Sequence, residues 1–166
     1  MHQVSVIGGS VVDESICSIA RRLGNLLASK GYIIFNGGLG GVMECVSQGV
    51  QEAGGIVIGI IPSNTHMDGN RYLTAKIPTG MGFARNFLVV RAGEVVVAMD
   101  GSTGTLSEAS FALAEGKTVI AIGEICVEPK KPNEGKMIRV NSPEEAVLAV
   151  EEYFKNHDST NKQNDQ

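Results

Sequence analysis

The stretch Val95-Val96-Val97-Ala98-Met99-Asp100-Gly101-Ser102-Thr103-Gly104-Thr105-Leu106-Ser107-Glu108 decides the fold. Its apolar run predicts a strand over Glu94 to Met99, its glycines a tight turn, and its continuation a helix over Thr105 to Glu115. A strand that is apolar without alternation is buried on both faces, as in a parallel sheet covered by helices. The turn between strand and helix aims backbone N–H groups at the positive end of the helix, where an anion such as phosphate binds. Gly101 and Gly104 let that backbone approach a ligand, and Ser102, Thr103 and Thr105 add hydroxyl donors. Glu108 follows one turn later and brings a carboxylate to the same pocket. The expected ligand is a phosphorylated small molecule.

The same alternation continues on both sides. Upstream, Val4 to Ile7 ends at Gly8-Gly9-Ser10, and from Asp13 the apolar residues Ile16, Ile19, Ala20, Leu23, Leu26 and Leu27 recur at helical spacing until Gly31. Tyr32 to Phe35 is closed by Asn36-Gly37-Gly38-Leu39-Gly40-Gly41, and Val42, Met43, Val46 and Val50 mark a helix ending at Gly54-Gly55. Ile56 to Ile61 is a third run, residues 63–71 read as a surface loop, Tyr72 to Ile77 as a short strand and Met81 to Arg91 as a helix. Downstream, Thr118 to Ile122 and Met137 to Val140 are strands, and Ser142-Pro143-Glu144-Glu145 opens the last helix with a cap, a first-position proline and a capping-box glutamate. The pattern predicts one α/β domain over residues 1–155: a doubly wound, Rossmann-like fold with a mostly parallel sheet covered by helices on both faces. Residues 156–166 are polar and predict a disordered tail. The glycine clusters at 8–9, 37–41 and 101–104 all follow strands, so they should converge on one sheet edge.

Composition narrows the function. The 166 residues are 43% hydrophobic and 19% charged, ordinary for a globular protein. A net charge of -4 provides no basic footprint for nucleic acid. The three cysteines, Cys17, Cys45 and Cys126, are odd in number with no paired spacing, and predict reduced thiols in a cytosolic protein, with Cys17 and Cys45 packed in helices. His2, His66 and His157 have no metal-ligand spacing, so no metal site is expected. No apolar run approaches a membrane span, and Met1-His2-Gln3 leads straight into a strand, so no signal peptide is expected. The expected location is the cytoplasm.

Several motifs fail or admit plainer explanations. Gly8-Gly9-Ser10-Val11-Val12-Asp13 does not meet the dinucleotide fingerprint, and after Gly38-Leu39-Gly40 Met43 stands where the third glycine belongs. Gly116-Lys117-Thr118 resembles the end of a P-loop but leads from helix into strand, so it reads as a turn at a cationic helix C-terminus. Thr105-Leu106-Ser107-Glu108 satisfies a capping box, which would leave Glu108 bonded to a backbone N–H. Arg85 alone reads as a solvated helix arginine, but Gly80 and Gly82 before it suit an arginine fork for phosphate or carboxylate. Asp13, Glu14 and Glu44 read as charges favoured by helix starts.

Taken together, Asp100 to Glu108, Met81-Gly82-Phe83-Ala84-Arg85-Asn86 and Gly37 to Glu44 resemble the Lonely Guy (LOG) family and its nucleotide-binding superfamily, over most of residues 3–155. The family's proline-glycine-glycine-x-glycine-threonine-x-x-glutamate motif is matched in its second half, with Asp100 for proline and Ser102 for a glycine. The family's methionine-histidine-x-arginine-lysine motif lacks its histidine and lysine here, a variant similar to the branch of molybdenum cofactor carrier proteins. The resemblance implies a phosphoribohydrolase releasing a free base and ribose 5-phosphate from a nucleoside 5′-monophosphate, with Glu108 and Arg85 as catalytic residues and no cofactor. Gly8, Gly9, Ser10, Gly37, Gly38, Gly40, Gly41, Met81, Asn86, Gly101, Ser102, Thr103, Gly104 and Thr105 would bind phosphate and nucleotide. The altered Arg85 motif leaves a second reading open, a non-catalytic carrier or sensor of molybdenum cofactor or another phosphorylated ligand. The lysine decarboxylase label once given to the superfamily has no support, since no pyridoxal-phosphate lysine context is recognisable. The resemblance also implies a homodimer or larger assembly, with no nucleic-acid or membrane partner.

Overall fold

The computed structural model describes residues 1–164. Seven strands form a single parallel sheet: β1 (Gln3–Gly8), β2 (Ile33–Asn36), β3 (Ile56–Ile61), β4 (Ala75–Pro78), β5 (Val95–Met99), β6 (Val119–Ile122) and β7 (Met137–Val140). Their order is β4-β3-β2-β1-β5-β6-β7, and every neighbouring pair is parallel. The helices are α1 (Glu14–Ser29), α2 (Val42–Glu52), α3 (Arg85–Ala92), α4 (Thr103–Ala114) and α5 (Pro143–Asn164). This is the doubly wound Rossmann-like arrangement that the alternating pattern predicts. The chain leaves β1 toward β2 on one side and reaches β5 on the other, so the strand order reverses between β1 and β5.

Both faces are packed. One core joins Leu23 and Leu27 of α1, Val46 and Val50 of α2, and Val150 and Phe154 of α5 to one side of the central strands. The other joins Val89 and Val90 of α3 and Ala109, Ala112 and Leu113 of α4 to the opposite side. All five residues of β5 are buried, which is why it reads as an unbroken apolar run.

Some boundaries move. The strand expected over Tyr72 to Ile77 is Ala75–Pro78, because Asn70 and Thr74 bond to Leu39 O and Val57 N and hold the preceding segment in a loop. α4 begins at Thr103, not Thr105: Ser102 is extended, and its hydroxyl accepts from Thr105 N. Asp13 caps α1 by accepting from Ile16 N, and Gly31 leaves it at φ 83°. Gly116 makes the expected turn after α4, at φ 82° with its N–H bonded to Leu113 O, while Lys117 Nζ donates to the carbonyls of Val90 and Arg91 at the end of α3 and not of α4.

Two expectations are overturned. Cys17 and Cys45 are not reduced thiols but a disulfide joining the first turns of α1 and α2, with Cα atoms 5.4 Å apart; only Cys126 is free. The argument for a cytosolic setting from reduced cysteines therefore falls. The tail expected to be disordered from residue 156 instead continues α5 through Asn164. Ser159 and Thr160 bond back to Lys155 O and Asn156 O, and Asp158 meets His2, which stacks on Phe154. Residues 165–166 lie outside the described residues. Among the described residues, no helix is long and apolar enough to cross a membrane.

Candidate functional site

The glycine turns after β1, β2 and β5 meet over the strand ends, as their positions predict. Gly41 shows how closely. It has φ 65°, and a Cβ there would lie 2.3 Å from Gly9 O and 2.6 Å from Ser10 O. Val42 N donates to Gly9 O at 2.9 Å, so the turn after β2 is bonded onto the turn after β1. Asp100 is the one non-glycine among the described residues with positive φ, at 60°. It turns the chain from β5 toward α4 and sets its carboxylate against Gly9.

Beneath these turns lies a cavity of about 260 Å³. Gly8 and Ser10 contribute one wall and Gly37 the next. Arg85 and Asn86 enter from α3, and Ser102, Gly104, Thr105 and Glu108 from the first two turns of α4. The enclosed volume is below that of a typical drug-sized ligand site, so a dinucleotide would project out of it. The remaining expected residues lie around it. Gly9 and Gly41 lock the turns together, and Gly38 packs on Gly59 and Ile61. Gly40 stands near Ser10 O, and Gly101 faces Ile125. Met81 and Thr103 are exposed.

Arg85 is the most informative residue. A helix arginine is ordinarily solvated, yet Arg85 is only 7% exposed. It starts α3 directly after a short 3₁₀ turn, Gly82–Ala84, which points it inward. Its Nη2 donates to Gly37 O at 3.3 Å, while its buried Nε has no hydrogen-bond partner. A Cβ at position 37 would lie 2.8 Å from Nη2, so a larger residue there would have to displace the guanidinium. Burial pulls the guanidinium's pKa down, and the charge of Glu108 opposes this.

Glu108 does not cap α4. With Ser102 as the cap, Glu108 falls in the second turn and faces the cavity. Burial pushes its carboxyl from 4.5 up to about 7, against the pull of Arg85. The site thus holds a cation with a spare donor, a helix N-terminus with hydroxyls, and a carboxyl that exchanges its proton near neutrality. That set can grip an anion and move a proton beside it. Among the described residues, no group of three or more His, Cys, Asp or Glu is placed to hold a metal ion.

Sequence reading missed the apolar lining by Leu39, Met43 and Phe83. It also passed over Asn36 and Ser47, both fully buried beneath the second turn. Their signal was present: a polar residue closing the run Tyr32 to Phe35, and a serine on the same helix face as Met43 and Val50.

Comparison with known proteins finds relatives of the same fold. The model of the SLOG cluster4 family matches residues 1–147. An uncharacterized protein of Archaeoglobus fulgidus is 39% identical over 147 residues, 89% of this chain and 93% of that protein. The molybdenum cofactor binding protein of the phototrophic bacterium Rippkaea orientalis superposes with a TM-score of 0.83 at 29% identity, over 92% of this chain and 97% of that one. The molybdenum cofactor carrier protein of Chlamydomonas reinhardtii superposes with a TM-score of 0.75 at 27% identity, over 91% and 96% of the two chains.

Proposed function

The chain belongs to the SLOG cluster4 family, and on that premise we propose that it binds a phosphorylated small ligand in the strand-end cavity as a carrier, with molybdenum cofactor the first candidate. The observation that carries this reading is the buried Arg85, whose Nε lacks a partner beside the N-terminus of α4. A buried cation with an unused donor is costly by itself and is satisfied by an anion. The phosphate would take the amides and hydroxyls of residues 102–105, and Arg85 would close on it from α3. Leu39, Met43 and Phe83 offer apolar surface for a ring. The similarity to proteins named for molybdenum cofactor supports this choice of ligand.

Titration calorimetry with molybdenum cofactor and with a panel of nucleoside 5′-monophosphates tests the reading. Saturable binding that Arg85→Met weakens at least tenfold is expected. Absence of binding by every member of both sets overturns it.

A second reading, phosphoribohydrolase activity, is favoured by Glu108, held at about 7 beside Arg85. The deprotonated carboxylate would take a proton from water as its oxygen bonds to C1′ and the C1′–N bond breaks, the base leaving with a proton from solvent. Chromatography for free base and ribose 5-phosphate decides it: release must occur with the wild type and vanish in Glu108→Ala.

The exposed apolar side chains of α3 and of the 3₁₀ turn before it support a further element of the reading, a homo-oligomer. Phe83 is 91% exposed and Phe87 49%, with Met81 and Leu88 beside them.

A further inference from the structure

We propose that Asn36 and Ser47 position Arg85 for its anion, by fixing the carbonyl of Gly37 to which its guanidinium bonds. The inference rests on the reading of the cavity as an anion site. Both side chains are fully buried, and their hydrogen bonds link the turn after β2 to the first turns of α2. Asn36 Oδ1 accepts from Gly38 N at 2.8 Å, and Asn36 Nδ2 donates to Met43 O at 3.1 Å and to Ser47 Oγ at 2.9 Å. Ser47 Oγ in turn donates to Met43 O at 2.7 Å. The network therefore ties the end of β2, the turn after it and the first turns of α2 into one unit.

Gly37 lies inside that unit, between Asn36 and the bonded Gly38, so the orientation of its carbonyl follows from the network. That carbonyl is the hydrogen-bond acceptor of Arg85. Met43, whose own carbonyl is the shared acceptor, lines the same cavity. A buried asparagine could have been replaced by an apolar residue if only packing mattered, since polar groups are costly to bury unless paired. Here its acceptor holds the turn that carries the arginine's anchor, and its donors tie that turn to α2.

The test uses the full chain, with two readouts. In the ligand-free protein, the titration of Glu108 is followed by carboxyl-carbon NMR, because Arg85 is the charge that faces Glu108 and holds its midpoint down. In parallel, AMP affinity is measured by calorimetry. Ser47→Ala removes one bond of Asn36 while leaving the one to Met43 O, so the variant folds; Asn36→Ala is the harsher second variant. Val50→Ala, a core truncation on the same helix, supplies a control for general softening. The expected result is an upward move of the Glu108 midpoint in Ser47→Ala and roughly tenfold weaker AMP binding, the size expected for loosening a bond to a charged group, with neither change in Val50→Ala. An unmoved Glu108 midpoint in Ser47→Ala, or an equal move in Val50→Ala, overturns the proposal. A wild type that fails to bind AMP bears on the ligand reading alone, since the NMR titration needs no ligand.

Discussion

Glu108 couples the site to the stability of the fold. Its folded pKa of about 7 lies above its ordinary 4.5, so between these values the native state holds a proton that the unfolded chain has released. Stability therefore falls as pH rises from 4.5 to 7, the reverse of the usual effect of a paired carboxylate. Denaturant titrations across that window should show this decline, and Glu108→Gln should flatten it; an unchanged slope in the variant would assign it to another group. Phosphate in the cavity would raise the midpoint further, so ligand binding near neutrality should take up protons. Calorimetry in buffers of different ionisation enthalpy reads that uptake directly. That Arg85 and Glu108 face one cavity was legible in the sequence, because both lie near glycine turns. Their surroundings were not. Ser102 and Thr105 are both credible caps three residues apart, and the sequence does not say which one wins. With Ser102 the winner, Glu108 moves from a capping position into the cavity.

Among the elements, α1 and α2 form the tightest pair. A Cβ on Gly24 would lie 2.2 Å from Val46 O, and one on Gly49 would lie 1.8 Å from Arg21 O. The helix backbones are therefore in contact, and the overlap is with carbonyls that cannot rotate away. Gly49→Ala should force the helices apart and cost about 1–3 kcal/mol or more by the usual scale of overpacking, measurable as a lowered midpoint in urea. The disulfide Cys17–Cys45 bridges the same pair across 28 residues of sequence. A closed loop of that length is worth about 3–4 kcal/mol in chain entropy, on the order of 10 °C in Tm for a chain of this size. Reduction by dithiothreitol should lower the wild-type Tm by that order and leave a Cys17→Ser/Cys45→Ser variant unmoved. The strands and helices themselves were readable, since β5 is an unbroken apolar run, β1 and β3 are short apolar stretches, and α1 has clean helical spacing. The disulfide was not, because nothing in the spacing of two helical cysteines says that the first turns of their helices meet. The order of α1 and α2 became visible only once the sheet had placed them side by side.

At the scale of the whole molecule, the two faces of the sheet are unequal. The face covered by α1, α2 and α5 is tied by packing, ion pairs such as Arg21–Glu52 and Lys30–Glu151, and the disulfide, with Leu148 of α5 exposed. The face covered by α3 and α4 leaves Phe83, Phe87 and Leu88 in contact with solvent. Phe87 meets Phe111 of α4 at 4.5 Å between ring centres, so the aromatic surface spans both helices. The proposed homo-oligomer would use this patch as its contact surface, and Phe83 lies on both the patch and the cavity lining. A second copy docked there would cover the mouth of the site. Light scattering at micromolar concentration should then give at least twice the monomer mass, and Phe87→Glu should return the monomer, since a carboxylate cannot be buried there without a partner. Because Phe83 serves both surfaces, association and ligand binding should be linked, and linkage is reciprocal. Ligand should shift the wild-type mass distribution toward the oligomer, and the monomeric variant should bind more weakly. A wild type that stays monomeric with and without ligand would refute the docking of a second copy while leaving the cavity, Arg85 and Glu108 as they are.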